Sequence, residues 1–306
     1  MNENEQVRHN GSHLKESVCP DGQINIAHSS ATRRPVMTTP ESACDSHLHI
    51  YDSDYRSCAT VPPQADVASY RQLQSLLGTG RAVIVQPRVY GTDNTVTLRA
   101  IQTLGIQNTR GIAVVSPDVD EHTLQEMQDG GIRGVRFSFY LPNSAAGDFD
   151  SVLKVAHRIA PLGWHLQLHW TAEQIVAQES LLMRLPTPMV FDHMGRLPPF
   201  QSRHRAFKVL ERLLKEGKAW VKLSAAYLNT DQSSCNDYSD TIETANWLSE
   251  LAPDRLVWGS DWPHVTETGH KPDDARLFDL LGQWCAGNES VRHRILVENP
   301  QALYGF

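Results

Sequence analysis

Residues 43–52 read ACDSHLHIYD, and two histidines, His47 and His49, stand one residue apart in this short, largely apolar run. The run is typical of a β-strand, and side chains along a strand alternate between its two faces. His47 and His49 would therefore face the same space, only a few ångströms apart. Such a pair is unfavourable in a packed core, but it suits a metal ion or an activated carbonyl group.

Seven further strand-like runs follow, and an amphipathic, helix-like stretch separates each from the next. The runs are RAVIVQPR (81–88), RGIAVVSP (110–117), GVRFSFY (134–140), WHLQLHW (164–170), MVFDHMG (189–195), AWVKLSA (219–225) and RLVWGSDWP (255–263). Helices are predicted near 67–78, 93–104, 120–129, 148–160, 172–184, 201–216, 238–252 and 273–285. Asp120, Asp148 and Thr171 are the capping residues at three of their starts.

Strands that alternate with helices pair in parallel through crossover connections. Eight such units over about 260 residues predict an α/β fold, the closed (β/α)8 TIM barrel. An open, doubly wound sheet is the alternative architecture, but no glycine-rich dinucleotide fingerprint follows the first strand. The closed barrel is therefore the predicted fold, as a single domain over residues 43–306.

The composition narrows the classes of partner. The 306 residues are 40% hydrophobic and 21% charged, and the formal net charge is -7. A nucleic acid or an acidic membrane would require clustered Lys and Arg, so neither is an expected partner. A membrane helix would require about 20 consecutive apolar residues, and the chain has no such stretch.

Residues 1–42 differ from the rest of the chain. They are polar, they are interrupted by Pro20, Pro35 and Pro40, and they lack the apolar segment of a secretory signal. We expect a poorly ordered N-terminal arm. The odd number of cysteines, without metal-type spacing, predicts reduced thiols and a cytoplasmic location; they are Cys19, Cys44, Cys58, Cys235 and Cys285.

Polar residues collect at the predicted strand ends, where the active site of a TIM barrel lies. Four histidines and one aspartate occupy these ends, namely His47, His49, His169, His193 and Asp261. Imidazole nitrogens and a carboxylate oxygen form a typical zinc ligand set. A single strand histidine is more often a hydrogen-bonded core residue, but four histidines and one aspartate at four strand ends are difficult to explain by packing.

Each of the other strand-end residues could have either a structural or a substrate-binding role. Arg136 is either an ion-pair partner in the barrel wall or a clamp for an anionic group. Tyr140 and Tyr227 stand where a hydroxyl could bind a substrate, and Trp262 is either packing or a pocket wall. Lys222 is either structural or a substrate contact, and the sequence does not separate these readings.

These residues resemble the amidohydrolase superfamily (amidohydrolase family 2), in its branch of lactone hydrolases. The resemblance runs from about Ala43 to the C-terminus, through CDSHLHIYD, VIVQPRVYGTDNTVTLRAI, RGIAVVSPDVDE, GGIRGVRFSFY, VFDHMGR, VWGSDWPH and VENPQALYGF. It implies the distorted barrel of that superfamily. It also implies that His47, His49 and His193 polarise a lactone carbonyl, that Asp261 takes a proton from water, and that Arg136 holds an acidic group of the substrate.

The chain departs from the pyrone-dicarboxylate lactonases in two respects, the metal ligands and the substrate contacts. Those enzymes work without a metal and carry tyrosine at the position of His169. Here His47, His49, His169 and Asp261 would hold one divalent ion, Zn²⁺ or Mn²⁺, as in the zinc-dependent sulfomuconolactone hydrolases. Arg88 replaces a serine of the pyrone enzymes, and YLPNSAAG (140–147) lacks a basic residue that they carry in this loop. The galactarolactone isomerase branch lacks an aspartate at the position of Asp261. The presence of this aspartate here favours hydrolysis over isomerisation.

The expected function is a hydrolase that opens the ester bond of a small anionic lactone of aromatic-acid catabolism. Metal-activated water attacks, with Asp261 as base and His193 stabilising the oxyanion. Arg136, with Arg88 or Arg196, orients the substrate. The alternatives are a metal-independent lactonase, a metal-dependent non-oxidative decarboxylase and a barrel that only binds a metabolite. Barrel enzymes of this type often self-associate, so a homo-oligomer is possible, although the sequence identifies no interface.

Overall fold

The computed structural model describes residues 17–18, 24–25, 28, 33–52, 65–140, 146–200, 203–231, 237–267 and 271–306. Most of the predicted N-terminal arm lies outside these residues. Ser17–Val18 and Ile24–Asn25 pair as a short antiparallel ladder. Residues 33–42 run along the barrel, where the Asp279 carboxylate accepts hydrogen bonds from the backbone N–H groups of Val36 and Met37.

All eight predicted strands are present and form one parallel sheet in sequence order. Their bounds are Cys44–Leu48 (β1), Arg81–Val85 (β2), Thr109–Ala113 (β3), Ile132–Ser138 (β4), His165–His169 (β5), Met189–Phe191 (β6), Ala219–Leu223 (β7) and Leu256–Trp258 (β8). A parallel bridge between Leu48 and Trp262 closes the sheet. The backbone N–H of Asp261 donates to His47 O at 2.8 Å across the same seam. The predicted (β/α)8 barrel is therefore confirmed.

The predicted helices are also present. Their bounds are Val67–Leu77 (α1), Thr95–Leu104 (α2), Glu121–Asp129 (α3), Phe149–Ile159 (α4), Ala172–Ala177 (α5), Glu179–Arg184 (α6), Arg205–Lys215 (α7), Ile242–Leu251 (α8) and Asp274–Trp284 (α9). The predicted helix over 172–184 is divided at Gln178 into α5 and α6. Asp120, Asp148 and Thr171 each accept a hydrogen bond from the backbone N–H three residues later, which confirms these three predicted caps.

The C-terminal segment adds helices that the sequence reading did not predict, Glu289–His293 (α10) and Asn299–Tyr304 (α11), joined by a π-helical turn over Arg294–Glu298. Among the described residues, no helix has both the length and the apolar character needed to cross a bilayer.

A bulge in β1 determines the direction in which His47 and the following His49 point. Cys44 pairs with Arg81 and Leu48 pairs with Ile84, so four steps along β1 match three steps along β2. The extra residue changes the alternation of side chains between Asp45 and Leu48. As a result Cys44 packs with Val83 and Val85 in the inner apolar cluster, and His47 and His49 also face the interior.

Candidate active site

The predicted site residues converge at the carboxyl ends of the strands, around a cavity of about 300 Å³. The cavity is lined by His49, Tyr51, Arg88, Val89, Arg136, Ser138, Tyr140, His169, His193, Leu228, Asp261, Val265 and Thr266. Seven of these were predicted from the sequence. His47, Arg196, Tyr227 and Trp262 were predicted as well, but they lie outside this lining.

Three electron-pair donors meet at one point of the site. The ligand atoms of His47, His49 and Asp261 lie within 4.8 Å of one another, and all three residues are buried. His47 Nε2 is 3.4 Å from His49 Nε2 and 3.4 Å from Asp261 Oδ1. His49 Nε2 is 3.6 Å from the same oxygen. A carboxylate and two imidazoles at this spacing could hold one divalent cation.

The outer contacts of the two histidines suit this role. Nδ1–H of His49 donates to the carbonyl oxygen of Val85 at 2.8 Å, which leaves the lone pair on Nε2. Nδ1 of His47 lies 3.3 Å from Asp192 Oδ1 and 3.4 Å from Lys222 Nζ. In the tautomer with its proton on Nδ1, facing Asp192, Nε2 of His47 is the donor atom. A carboxylate or carbonyl partner behind each imidazole is the usual support of a metal-binding histidine. The residues therefore fit a cation.

His169, the fourth predicted ligand, lines the cavity but is not in that three-residue group. Its Nδ1 contacts Arg136 Nη2 at 3.3 Å and Ser138 Oγ at 3.2 Å. Its buried Nε2 has no hydrogen-bond partner among the described residues. With Nδ1–H donating to Ser138, Nε2 keeps a lone pair for a cation. With Nδ1 accepting from Arg136, Nε2 carries a proton and can donate to a substrate oxygen.

Charge and burial determine the ionisation of the site. Burial would raise the pKa of the Asp261 carboxyl, but His193, His49 and His47 hold this pKa well below its usual value. Burial, helped by the nearby Lys222 ammonium, holds the pKa of His47 well below 6.5. Burial likewise lowers the pKa of His193 to about 4. At neutral pH the site therefore combines an ionised Asp261 carboxylate with neutral imidazoles at His47 and His193.

The turn after β6 orients His193 by an unusual backbone conformation. Four consecutive residues, from His193 to Arg196, have φ between 50° and 66°, and only Gly195 is free of the steric cost. The turn directs His193 Nε2 toward Asp261 Oδ1, at 3.9 Å, while Nδ1 contacts Ser224 Oγ at 2.9 Å. The same turn places the Arg196 guanidinium 4.3 Å from the centre of the Tyr140 ring.

A buried charge cluster lies beneath the site, and the sequence reading missed its central residue, Asp192. The carboxylate of Asp192 is 3.3 Å from His47 Nδ1, 3.3 Å from Arg136 Nε and 3.8 Å from Lys222 Nζ. It also accepts from Gln167 Nε2 at 3.0 Å. Burial opposes ionisation, but His47, Lys222 and Arg136 together hold the pKa of Asp192 well below its usual value. The only available sequence signal was its position directly before His193.

Lys222 belongs to this cluster and does not line the cavity. Its ammonium donates to Ser46 O at 2.8 Å and to Gln167 Oε1 at 2.7 Å. The residue is fully buried, and burial lowers its pKa to about 8. Of the two readings left open by the sequence, this geometry favours the structural one.

Three arginines lie in or near the cavity. Arg136 and Arg88 line it, and Arg136 is held at Nε by Asp192. Arg196 Nη1 is buried without a hydrogen-bond partner among the described residues, and burial lowers the pKa of this guanidinium. These groups can bind an anionic part of a ligand.

Tyr227 and Trp262 are placed differently from Tyr140, which reaches the cavity. The Tyr227 hydroxyl donates to Asp261 Oδ2 at 2.5 Å and lies 3.0 Å from His264 Nδ1. Trp262 is fully buried, and its ring packs against Tyr70, with 5.7 Å between ring centroids. A direct substrate contact by either residue is therefore less well supported than one by Tyr140.

Comparison with known proteins places the whole domain in one family. The model of the amidohydrolase family matches residues 44–306. The 4-sulfomuconolactone hydrolase of Hydrogenophaga intermedia is 35% identical over 280 residues, which are 87% of this chain and 89% of that protein. The 2-pyrone-4,6-dicarboxylate hydrolase of Comamonas testosteroni is 31% identical, over 89% of this chain and 92% of that protein.

A solved structure agrees with these relatives. The crystal structure of a probable 2-pyrone-4,6-dicarboxylic acid hydrolase from Acinetobacter baumannii, with citric acid bound, superimposes with a TM-score of 0.73. It is 27% identical and covers 87% of this chain and 100% of its own.

Proposed function

Because the chain belongs to the amidohydrolase family, we propose that it is a hydrolase that opens the ester bond of a small anionic lactone of the sulfomuconolactone, muconolactone or pyrone-carboxylate kind. The observation that carries the proposal is the Asp261 carboxylate, which faces His47, His49 and His193 at 3.4–3.9 Å and lines the same cavity as Arg136. A base, a carbonyl-polarising group and an anion clamp thus surround one small space.

Asp261 is the proposed base. Its pKa is held well below the usual value, so the carboxylate is ionised at neutral pH and accepts a proton from the attacking water. The oxygen of that water forms the new bond to the lactone carbonyl carbon. When the ring C–O bond breaks, Asp261 returns the proton to the leaving oxygen. The products are a carboxylic acid, which releases its proton to solvent and becomes a carboxylate, and a hydroxyl or keto group on the opened chain.

A divalent cation, Zn²⁺ or Mn²⁺, fits the donor set of His47, His49 and Asp261, with His169 as the predicted fourth ligand. When bound, such an ion supplies Lewis-acid polarisation and lowers the pKa of water. The Val85 carbonyl and the Asp192 carboxylate hold the two imidazoles in orientation for it.

His193 and Arg136 act on the substrate itself. With the Ser224 hydroxyl donating to Nδ1, His193 carries its proton on Nε2 and donates to the oxyanion that forms at the carbonyl. Arg136 pairs with a carboxylate or sulfonate and orients the ring, together with Arg88 or Arg196. Tyr140 forms part of the wall. The free, buried thiols of Cys44 and Cys285 agree with a cytoplasmic enzyme.

The first test combines metal analysis with product analysis. We expect the purified protein to carry about one zinc or manganese per chain, and to lose lactone hydrolysis on chelation and regain it with metal. Asp261→Asn should lower kcat by at least about 1,000-fold, because base and ligand are lost together. Retention of near-parental hydrolysis by Asp261→Asn would overturn the scheme.

The substrates for the test are 4-sulfomuconolactone, muconolactone and 2-pyrone-4,6-dicarboxylate, with the ring-opened acid as the measured product. Full activity in metal-free protein would instead indicate that His47 and His49 hold the carbonyl directly. Release of carbon dioxide from an acidic aromatic substrate would indicate a decarboxylase. His169→Gln separates the two roles of His169: lost metal indicates a ligand, and retained metal with lost activity indicates a hydrogen-bond donor.

A further inference from the structure

A buried chain of hydrogen bonds leads away from Asp261, on the side opposite the histidines. Oδ2 of Asp261 accepts from the Tyr227 hydroxyl at 2.5 Å, and this hydroxyl lies 3.0 Å from His264 Nδ1. The other nitrogen of the ring, Nε2, donates to Asp274 Oδ1 at 2.8 Å. Because the single Tyr227 proton goes to Asp261, the contact between Tyr227 and His264 is a hydrogen bond when Nδ1 also carries a proton and donates to the Tyr227 oxygen. The reaction as proposed above uses neither His264 nor Asp274.

The end of this chain away from Asp261, formed by His264 and Asp274, is firmly held. His264 and Asp274 are fully buried, and Asp274 is the first residue of α9. Lys271 Nζ donates to the carbonyl oxygen of His264 at 2.7 Å, and the backbone N–H of His264 donates to Asp261 O at 3.0 Å. The imidazole of His264 is thus fixed at both nitrogens and along its backbone.

The two oxygens of Asp261 consequently have different surroundings. Oδ1 faces His47, His49 and His193 at 3.4, 3.6 and 3.9 Å, whereas Oδ2 is occupied by Tyr227. A carboxylate without the Tyr227 hydrogen bond could rotate and present either oxygen or both. Asp261 also has φ of 60°, a backbone conformation that costs free energy in a residue other than glycine. Contacts with the surrounding residues must therefore hold it in place.

We propose that Asp274, His264 and Tyr227 form a positioning chain that fixes the Asp261 carboxylate, so that a single oxygen faces the ligand histidines and the attacking water. Tyr227 is a positioning residue in this arrangement and does not bind substrate. The effect on catalysis rests on the proposed function, whereas the effect on cation binding requires only that Asp261 is a ligand.

The test uses Asp274→Asn and Tyr227→Phe, with Asp273→Asn as the matched control. Asp273 is the neighbouring N-cap of α9, where its side chain accepts from the Arg276 N–H, and asparagine caps a helix as well as aspartate does. The control therefore makes the same charge change one residue away. Zn²⁺ affinity is measured on the full-length chain by competition with a chromophoric chelator, and kcat and KM are measured on 4-sulfomuconolactone.

For both variants we expect a loss of Zn²⁺ affinity of about 10- to 100-fold, the usual effect of removing a group that supports a ligand. We expect kcat to fall by a similar factor with KM within about twofold, because the substrate clamp is unchanged. The double variant should lose little more than the worse single variant, because the two residues act through one carboxylate. Asp273→Asn should retain the wild-type values.

The proposal is overturned if Asp274→Asn and Tyr227→Phe match Asp273→Asn in both Zn²⁺ affinity and kcat, or if the loss falls on KM alone. A wild-type protein that binds Zn²⁺ but hydrolyses no lactone would contradict the proposed function, and the affinity comparison would still decide the positioning chain. In an active but metal-free protein, kcat of the same three variants decides it. If either Asp274→Asn or Tyr227→Phe does not fold, the comparison of the other variant with Asp273→Asn tests the proposal.

Discussion

At the scale of single residues, the interior of the barrel is unusually rich in buried ionisable groups. His47, Asp192 and Lys222 are all fully buried, as is usual only when charges are paired and hydrogen-bonded. The cluster carries opposite charges in contact, and it places one carboxylate, Asp192, between a predicted ligand and the predicted anion clamp. The residues that support the chemistry therefore also determine how folding depends on pH.

His165 illustrates this dependence. It lies on β5, it is 2% exposed, and burial together with the Lys222 charge lowers its pKa to about 3. The folded state resists protonation of this ring, whereas an unfolded chain takes up the proton near pH 6.5. The free energy of unfolding should therefore fall as pH drops below about 6.5, until the folded-state pKa is reached.

We expect His165→Leu to remove part of this acid sensitivity. Between pH 7 and 5.5 the wild type should lose about 1.2 kcal/mol more free energy of unfolding than the variant, from the linkage of one histidine. Urea denaturation at both pH values measures the difference. His122→Leu, which removes a histidine whose side chain is 83% exposed, is the control and should keep the wild-type dependence. If His165→Leu kept the pH dependence of the wild type, His165 would not be a source of the acid sensitivity.

At the scale of elements, the seam between β8 and β1 brings the site together. The Asp45 carboxylate accepts from the backbone N–H and the hydroxyl of Ser260, at 2.9 and 2.7 Å, and from the His47 N–H at 3.2 Å. One buried side chain therefore joins the two segments that carry His47 and Asp261. Burial raises the pKa of Asp45 to about 6, and its hydrogen bonds from Ser260 and His47 limit this rise.

The seam leaves no room for a side chain at Gly259. A Cβ atom at this position would lie 2.5 Å from His47 Cβ and 2.7 Å from His47 N. Gly259→Ala should therefore push the two strands apart, lower the free energy of unfolding by about 1–3 kcal/mol and reduce kcat by roughly 100-fold. Denaturation and lactone assays measure both effects. Gly80→Ala is the control, since its nearest neighbour would be an ordinary 3.7 Å contact with Ser42 Cα. Equal activity of the two variants would disprove this account of the seam.

At the scale of the whole molecule, the two ends of the barrel have separate tasks. The carboxyl ends of the strands hold the site, whereas the amino ends are covered by the C-terminal segment. Arg110, near the start of β3, donates to the carbonyl oxygens of Tyr304 and Gly305, at 3.2 and 2.5 Å. Its guanidinium also lies 5.0 Å from the centre of the Phe306 ring.

This separation predicts that stability and activity can be changed independently. Arg110→Met should lower the free energy of unfolding by about 3 kcal/mol, since several hydrogen bonds and a cation–π contact are lost. The same variant should keep kcat and KM of the wild type at a temperature where it remains folded. Arg99→Met, at an exposed arginine whose guanidinium is 3.6 Å from Asp52, is the matched control and should change stability by less than about 1 kcal/mol. A large fall in kcat for folded Arg110→Met would show that the two ends are coupled.

The sequence by itself determined the architecture, because alternating strand and helix patterns are local and repeat eight times. It also identified the residues at the strand ends, since a parallel barrel brings all carboxyl ends to one mouth. His47, His49, His169, His193 and Asp261 could be selected in this way, and the family resemblance is confirmed by the match over residues 44–306. Their chemical roles remain predictions.

Only the tertiary structure decided how these residues face one another. The side-chain alternation along β1 depends on a bulge in its pairing with β2, and the orientation of His193 depends on a turn with positive φ values. The neighbouring sequence shows no pattern that predicts either feature. The contacts of Asp192 with His47, and of Asp274 with His264, depend on packing in three dimensions. Spacing along a chain predicts which strand end a residue occupies. The orientation of its side chain depends on contacts with segments that are remote in sequence, and these exist only in the folded barrel.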